Sequence, residues 1–234
     1  MKKLLLVSFL VLTSCGINPQ NDKIIVGASS TPHALILEQT KSYLADNGYN
    51  LDIRVMNDYN TPNIALSEGE LDANYFQHIP FLEDYNANTN LSKIEPVAKI
   101  HFEPMGIYRG EAKNGKIIIP NDVSNKERAL SLLTANNYVG EIIESEAQYI
   151  PMLLQDCEFA CINGNYALNS GVIDRCIVTE EIGSHAAQKN ANVIACKQGN
   201  KESPKIKALV DALLQDNIRS YIISEFKNSV IPMF

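Results

Sequence analysis

The feature that most constrains the fold is a regular alternation of strand and helix patterns that begins at residue 23. Short apolar runs occupy residues 23–28, 51–56 and 71–75. Between them, Thr31-Pro32 and Thr61-Pro62 each place a hydroxyl before a proline, a pattern typical of a helix start. Two successive strand–helix–strand units predict parallel pairing with right-handed crossovers.

A second α/β set follows the two extended pieces of residues 93–108. Its helix start is predicted at Ser124, because Glu127 completes the spacing of a capping box. A further strand is expected at 192–197, and Ser203-Pro204 opens the last helical region. We therefore expect two α/β lobes around a cleft, each a mainly parallel sheet flanked by helices and joined by two crossover strands. The first lobe would comprise residues 23–105 and 195–234, and the second lobe residues 106–194.

The N-terminal residues have the pattern of an export signal followed by a tether. Lys2 and Lys3 precede an apolar run, residues 4–12, that is too short to cross a bilayer. The sequence Leu-Thr-Ser-Cys-Gly at 12–16 is similar to the lipobox of bacterial lipoproteins, whose cysteine is lipidated. We expect removal of residues 1–14, lipid on Cys15 and a polar leash over residues 15–22, which anchors the protein outside the cytoplasmic membrane. A plain secretory signal is the alternative.

Charge excludes two classes of partner. Without residues 1–14 the chain keeps 18 Lys and Arg against 27 Asp and Glu, a formal charge of −9. Nucleic acid and anionic lipid surfaces both require a concentrated basic face, so neither is an expected electrostatic partner. The later apolar stretches are also too short for a membrane span.

Four cysteines remain after Cys15, namely Cys157, Cys161, Cys176 and Cys196. An exported chain could join them as two disulfides, with three possible pairings. However, Cys161 and Cys196 lie in apolar strand patterns, where cysteine often serves as a small apolar residue. The pairing therefore stays open. Cys157 and Cys161 lack a histidine at a zinc-site spacing, so no metal and no other cofactor is expected.

Catalytic motifs are incomplete. Gly110-x4-Gly115-Lys116 approaches a phosphate-binding loop, but Ile117 replaces the required Ser or Thr and a strand pattern follows. No Gly-x-Ser-x-Gly or His-Glu-x-x-His motif is present. Glu180 and Glu181 have the pattern of a solvated acidic pair. These observations favour a binding protein over an enzyme.

The segment Asp-Ala-Asn-Tyr-Phe-Gln-His-Ile-Pro-Phe, residues 72–81, joins a strand to a helix. In an open α/β sheet, the carboxyl ends of the strands form the rim of the ligand crevice. Phe76, Gln77, His78 and Phe81 at such a rim suit an amphipathic small molecule. The alternative is that the two rings belong to the core and the histidine is buried and hydrogen-bonded.

This segment resembles the NlpA family of methionine-binding lipoproteins, and the resemblance extends from about residue 23 to residue 234. It implies a two-lobed periplasmic-binding-protein fold of type II that delivers L-methionine to the permease and ATPase subunits of an ABC importer. The other matching motifs are Asn57-Asp58-Tyr59, Glu-Pro-Met-Gly-Ile-Tyr at 103–108, Ile-Pro-Asn-Asp at 119–122, Ile-Asn-Gly-Asn-Tyr-Ala at 162–167 and Val-Ile-Pro at 230–232.

The resemblance also implies a ligand pocket. Within it, Arg128 would hold the ligand carboxylate bidentately, Asn163 and Asn192 would pair with the ammonium and carboxylate, and the aromatic rings would surround the thioether. The alternatives are a surface Arg128 and two turn-forming asparagines. The residues of the implied pocket are Tyr59, Phe76, His78, Phe81, Arg128, Asn163 and Asn192.

Two other functions stay open from the sequence. The ligand could be a methionine-containing dipeptide or another apolar amino acid. The chain could also be a surface lipoprotein with a structural or adhesive role and no ligand.

Overall fold

The computed structural model describes residues 23–234, except for the side chain of Ala186. The signal, Cys15 and the leash predicted for residues 1–22 lie outside the described residues. Within this range, no helix is long and apolar enough to cross a membrane.

Strands and helices alternate along the described chain, as the sequence predicts. The strands are β1 Lys23–Ala28, β2 Asn50–Val55, β3 Ala73–His78, β4 Ile94–Phe102, β5 Gly106–Arg109, β6 Lys116–Pro120, β7 Glu141–Ser145, β8 Phe159–Ile162, β9 Cys176–Thr179, β10 Asn192–Lys197 and β11 Ile231–Pro232. The α-helices are α1 Leu35–Glu38, α2 Lys41–Asp46, α3 Thr61–Glu68, α4 Ile79–Asn88, α5 Val123–Ala135, α6 Gly164–Ser170, α7 His185–Lys189, α8 Pro204–Leu213 and α9 Asp216–Phe226. A π-type turn spans Ser30–Ala34, and 3-10 segments span Ala147–Asp156, Ile173–Arg175 and Lys227–Ser229.

The strands form two sheets, with the orders β11-β4-β10-β3-β1-β2 and β7-β6-β8-β5-β9. The chain leaves the first sheet after Phe102 and enters the second at Gly106. It leaves the second sheet after Thr179 and re-enters the first at Asn192. The lobe boundaries expected at residues 105 and 195 stay a prediction.

Both sheets are mixed, which corrects the expectation of mainly parallel sheets. Strands β2-β1-β3 and β7-β6-β8 are parallel, as the predicted strand–helix–strand units require. However, β10 is antiparallel to β3 and β4, and β5 is antiparallel to β8 and β9. Both β5 and β10 arrive from the other sheet, so the crossover rule for one sheet does not set their direction. The half-buried strand β9 was not predicted.

Each sheet has its own apolar core. In the first sheet, Ile24, Val26 and Ala28 of β1 are fully buried. In the second, Ile117 and Ile119 of β6 pack in the cluster that includes helix α5. Burying such an aliphatic side chain contributes about 1.5–3 kcal/mol, which makes the two cores the main source of stability.

Two of the predicted helix starts are wrong in detail. At α3, Thr61 does not cap; the Asp58 carboxylate accepts the N–H of Asn60 at 2.8 Å and of Thr61 at 2.7 Å. At α5, the Ser124–Glu127 capping box is absent because the helix begins two residues earlier than a cap at Ser124 requires. Its cap is Asp122, whose Oδ1 accepts the Asn125 N–H at 2.9 Å.

The other two starts differ from each other. Ser203 caps α8 as predicted, since its hydroxyl accepts the Ile206 N–H at 3.4 Å. At the first helical region, the Thr31–Pro32 peptide is cis, Thr31 is extended and no side chain caps the turn.

The described cysteines are free thiols. Cys161 and Cys196 are buried in β8 and β10, as the strand patterns predict. Burial raises the pKa of Cys161 to about 12 and that of Cys196 to about 11. These cysteines therefore serve as small apolar residues.

Candidate ligand-binding site

A cleft lined by residues of both sheets contains every pocket residue that the sequence singled out. It holds about 340 Å³, including its opening to solvent. One side consists of residues that lie in strands of the first sheet or follow them, namely Tyr59, Phe76, His78, Phe81 and Asn192. Arg128 on α5 and Asn163 after β8 come from the second sheet. Five further lining residues were not part of the pocket that the resemblance implied, namely Gln77, Glu103, Asn125, Gly164 and Asn165.

Aromatic rings form one wall of the pocket. The Tyr59 ring centroid lies 5.9 Å from Phe76 and 5.6 Å from Phe81, and those two rings are 5.9 Å apart at 82°. Edge-to-face arrangements of this kind are favourable and leave an apolar surface. Tyr166 of α6 also packs against Tyr59, with the ring centroids 4.9 Å apart and the rings tilted by 38°. The wall suits an apolar side chain.

His78 ends β3 and caps α4. Its Nδ1 accepts the Phe81 N–H at 3.3 Å, so the imidazole proton is on Nε2, which donates to Asn125 Oδ1 at 3.1 Å. Burial, and next the charge of Arg128, lowers the pKa of His78 to about 3. The imidazole is therefore neutral and acts as a hydrogen-bond donor.

Asn125 is a convergence point for three donors. Its Oδ1 accepts from His78, from Arg128 Nη1 at 3.2 Å and from Asn163 Nδ2 at 2.8 Å. Its own amide is held by the Asp122 carboxylate at 3.1 and 3.2 Å. An amide oxygen has two lone pairs, so three donors compete for it and can be shared with a ligand oxygen.

Arg128 is held by an acid that the sequence suggested was solvated. Its Nε donates to Glu180 Oε1 at 3.0 Å, and its Nη2 pairs with Glu180 Oε2 and with the Glu103 carbonyl. Glu180 is only 10 % exposed and also accepts the Met105 N–H at 2.8 Å. The solvated-pair interpretation of Glu180 is therefore wrong.

Two buried amide atoms in the pocket wall lack a partner among residues 23–234. They are Oδ1 of Asn163 and Nδ2 of Asn165. The other polar atom of each amide has a partner. Asn163 Nδ2 donates to Asn125 Oδ1, and Asn165 Oδ1 accepts from the Tyr59 hydroxyl at 2.7 Å. One unpaired acceptor and one unpaired donor thus lie two residues apart at the start of α6.

Asn192 begins β10 and offers its amide to the same pocket. Its Oδ1 accepts from His33 Nε2 at 3.1 Å, which leaves its N–H groups as the available part. It is 7 % exposed. Asn192 can therefore act as a donor toward a ligand anion.

Glu103 and two histidines form a buried cluster behind Asn192. The Oε1 atom of Glu103 lies 2.7 Å from His101 Nε2 and 3.3 Å from His33 Nε2. Within the described chain, these residues are the group whose spacing would admit a metal ion, with atoms within 4.8 Å of one another. The distances are those of hydrogen bonds, so we interpret the cluster as a hydrogen-bonded network. The absence of a metal site stays a prediction.

Solved structures with the same fold define the class of this protein. A periplasmic substrate-binding protein of an ABC transporter from Coxiella burnetii matches with a TM-score of 0.82 at 32% identity, over 90% of this chain and 100% of that chain. A nutrient-binding protein from Burkholderia cenocepacia, solved bound to methionine, matches with a TM-score of 0.82 at 28% identity, over 90% and 100%. The fold is that of the two-lobed substrate-binding proteins, the periplasmic-binding-protein fold.

Sequence comparison identifies the family within that class. The profile of the NlpA lipoprotein family matches residues 24–140 and 136–234. The methionine-binding lipoprotein MetQ of Bacillus subtilis is 31% identical, over 100% of this chain and 99% of its own length. The chain belongs to the NlpA lipoprotein family, whose members among these relatives are named as binding lipoproteins and not as enzymes.

Four of the additional pocket residues lie in stretches that the sequence analysis had already noted. Gln77 was named beside His78, Glu103 begins the Glu-Pro-Met-Gly-Ile-Tyr motif, and Gly164 and Asn165 lie inside Ile-Asn-Gly-Asn-Tyr-Ala. Asn125 had no signal, because a polar residue in the first helical turn is ordinary.

Proposed function

We propose that this chain is an extracytoplasmic solute-binding lipoprotein that captures L-methionine between its lobes and delivers it to an ABC importer. The observation that carries the proposal is the pair of unpaired, buried amide atoms, Asn163 Oδ1 and Asn165 Nδ2, beside an aromatic wall. Leaving such atoms unpaired costs about 1–3 kcal/mol each. A ligand with an acceptor, a donor and an apolar side chain removes both penalties.

The polar end of an amino acid matches the distribution of donors and acceptors. Its carboxylate is offered N–H groups by Asn165, by Asn192 and by Arg128 Nη1. Its ammonium is offered Asn163 Oδ1. Glu180 occupies the Nε–Nη2 edge of Arg128. In place of the expected bidentate contact, we propose that Nη1 donates a single hydrogen bond to the ligand carboxylate and that the guanidinium adds its charge.

The apolar end of the ligand would lie against Tyr59, Phe76 and Phe81. A thioether gains about 0.3–1.5 kcal/mol from each sulfur–aromatic contact beyond the apolar area that it buries. An aliphatic side chain of similar length gains only the area term. Methionine is therefore preferred over leucine at this wall.

The relatives support methionine as the ligand and the membrane as the location. One is named a methionine-binding lipoprotein, and another was solved bound to methionine. A third carries the name of an ABC transporter component, which supports delivery to permease and ATPase subunits. The lipoprotein relatives support attachment to the membrane through lipid on Cys15.

Calorimetry tests the proposal. The protein is unfolded and refolded to remove any bound solute, then titrated with L-methionine, D-methionine, leucine and glycyl-methionine. The expected result is the tightest binding for L-methionine. Tighter binding of the dipeptide would identify a dipeptide as the ligand. Absence of binding by all four compounds would refute solute capture.

Two variants, one at the residue that precedes α6 and one within α6, test whether the ligand binds in this pocket. Asn163→Ala removes the unpaired acceptor, and affinity is expected to fall about tenfold to a hundredfold, as for a hydrogen bond to a charged group. Asn169→Ala is the control, because Asn169 pairs with Ser30 at an exposed position of α6. Equal affinities for the two variants would exclude Asn163 from the site.

A further inference from the structure

Glu103 is a buried acid that lines the pocket, and it forms no ion pair with a lysine or arginine of residues 23–234. It is 6 % exposed. Arg128, the nearby cation, donates a hydrogen bond to the Glu103 backbone carbonyl and forms its ion pair with the Glu180 carboxylate. A buried carboxylate without a cation is costly, so it takes up either a proton or a cationic partner.

The two histidines beside Glu103 do not supply that positive charge. Burial lowers the pKa of His33 to about 4 and that of His101 to about 3. Burial raises the pKa of Tyr75 well above its ordinary value, so its hydroxyl keeps its proton and donates to His101 Nδ1. His101 therefore carries its proton on Nε2 and donates it to Glu103 Oε1 as a neutral imidazole.

The geometry leaves the second carboxylate oxygen on the pocket side. Both imidazoles contact Oε1. Oε2 lies at the start of α6, where a Cβ on Gly164 would be 3.1 Å from it and 2.9 Å from the Glu103 Cβ. Glycine at this position thus lets the α6 backbone approach the carboxylate, and Glu103, Gly164 and Asn165 line the same pocket.

We propose that Glu103, held by His33 and His101, is the receptor for the primary ammonium group of the ligand and releases a proton when that ammonium binds. The proposal rests on the proposed function and adds a specific requirement, a positively charged amino group. In the step, the carboxyl O–H bond breaks and its proton leaves to solvent. The ligand ammonium keeps its three protons and pairs with the resulting carboxylate.

The surroundings of Glu103 determine the sign of the pH dependence. Burial raises its pKa in the free protein, while His33, Arg128 and the backbone N–H of Asn165 oppose the rise. Tyr59 and Tyr75 also face it and stay neutral, because burial raises their pKa values. The ammonium stabilises the anion, so affinity is full above the free-protein pKa of Glu103. It falls as pH drops through that pKa, by up to about tenfold per pH unit.

Proton release is measured by titrating the wild-type protein with L-methionine in two buffers that differ in ionisation enthalpy. The expected release approaches about one proton per ligand as the pH falls below the free-protein pKa of Glu103. The deaminated analogue of methionine is expected to bind much more weakly and to release no proton. Binding of methionine without proton release, or equal binding of the deaminated analogue, would overturn the proposal.

Variants assign the effect to this carboxyl group. Glu103→Gln is expected to lower methionine affinity by about thirtyfold or more and to remove the pH dependence. The control is Glu181→Gln, the same change at an exposed acid. A Glu103→Gln protein with wild-type affinity and unchanged proton release would overturn the proposal while leaving methionine capture intact. Failure of the wild type to bind any amino acid would instead overturn the proposed function.

Discussion

Arg128 is the charged side chain that connects the pocket to the rest of the second lobe. Its side chain is 9 % exposed, and its Nε and Nη2 pair with Glu180. Removing one partner of such a buried pair leaves the other charge unpaired, which is more destabilising than the pair is stabilising. The arginine therefore affects both stability and binding.

Arg128→Ala is expected to weaken methionine binding by about thirtyfold to several thousandfold, because the ligand carboxylate loses its cation in a closed cleft. Arg128→Lys should restore affinity only in part, since an ammonium lacks the planar set of donors. Calorimetry on refolded protein measures the change. Arg175→Ala is the matched control: it removes an exposed arginine that pairs with Glu111, and we expect unchanged affinity. Unchanged affinity in Arg128→Ala would exclude this arginine from the site.

At the scale of elements, helix α5 supplies both Arg128 and Asn125 to the pocket. Its start is stabilised by the Asp122 carboxylate, which accepts the backbone N–H of Asn125 and also holds its side-chain amide. The cap therefore determines where the convergence point of the pocket lies. A helix cap and a binding residue are coupled through one carboxylate.

Asp122→Ala is expected to lower the free energy of unfolding by about 0.5–2 kcal/mol, the usual cost of losing a cap. It should also weaken methionine binding, because Asn125 loses the group that orients it. Urea unfolding and calorimetry measure the two effects. Glu127→Ala is the control; Glu127 is exposed, and its loss should change stability by no more than about 0.5 kcal/mol. If Glu127→Ala lowered the free energy of unfolding more than Asp122→Ala, the result would support the capping box and contradict the Asp122 cap.

At the scale of the whole molecule, buried neutral histidines make the fold sensitive to acid. Burial lowers the pKa of His33 to about 4 and those of His78 and His101 to about 3. The unfolded chain binds protons at these histidines below about pH 6.5, whereas the folded chain excludes them. Stability is therefore full above about pH 6.5 and falls as pH decreases toward 4.

Each of these imidazoles contributes a slope of up to about 1.4 kcal/mol per pH unit in that window. Glu103 acts in the opposite direction, because its raised pKa favours the folded state as it takes up a proton. Three histidines outweigh one carboxyl group. Urea unfolding between pH 7 and about 4.5 should show the loss, and His78→Gln should reduce the slope. A stability that is constant across this range would contradict the buried, neutral state of the histidines.

The lipid anchor is a second prediction at this scale. The exported protein should begin at Cys15, carry acyl chains and sediment with membranes. Cys15→Ala should yield a form without lipid that does not sediment. Intact mass spectrometry of the wild-type chain decides the matter, since a mature mass without added acyl chains would contradict the lipobox interpretation.

By itself, the sequence determined most of the element order, without β9, and most of the pocket. Alternating apolar runs and Thr-Pro or Ser-Pro starts depend on local backbone preferences and burial periodicity, which are properties of short segments. They predicted two sets of α/β units and the strand position of Cys161 and Cys196. The family motifs added the seven pocket residues, which line one cleft.

Only the tertiary structure decided the partners of the polar side chains and the direction of the crossover strands. Glu180 lies 52 residues from Arg128, and Asn192 lies 159 residues from His33. Such pairs depend on how segments that are distant in the sequence pack within one lobe, and local periodicity contains no information about that packing. The antiparallel β10 and the burial of Glu103 between two imidazoles have the same origin. Their energies come from contacts between distant segments of the chain, which exist only after the lobe that contains them has formed.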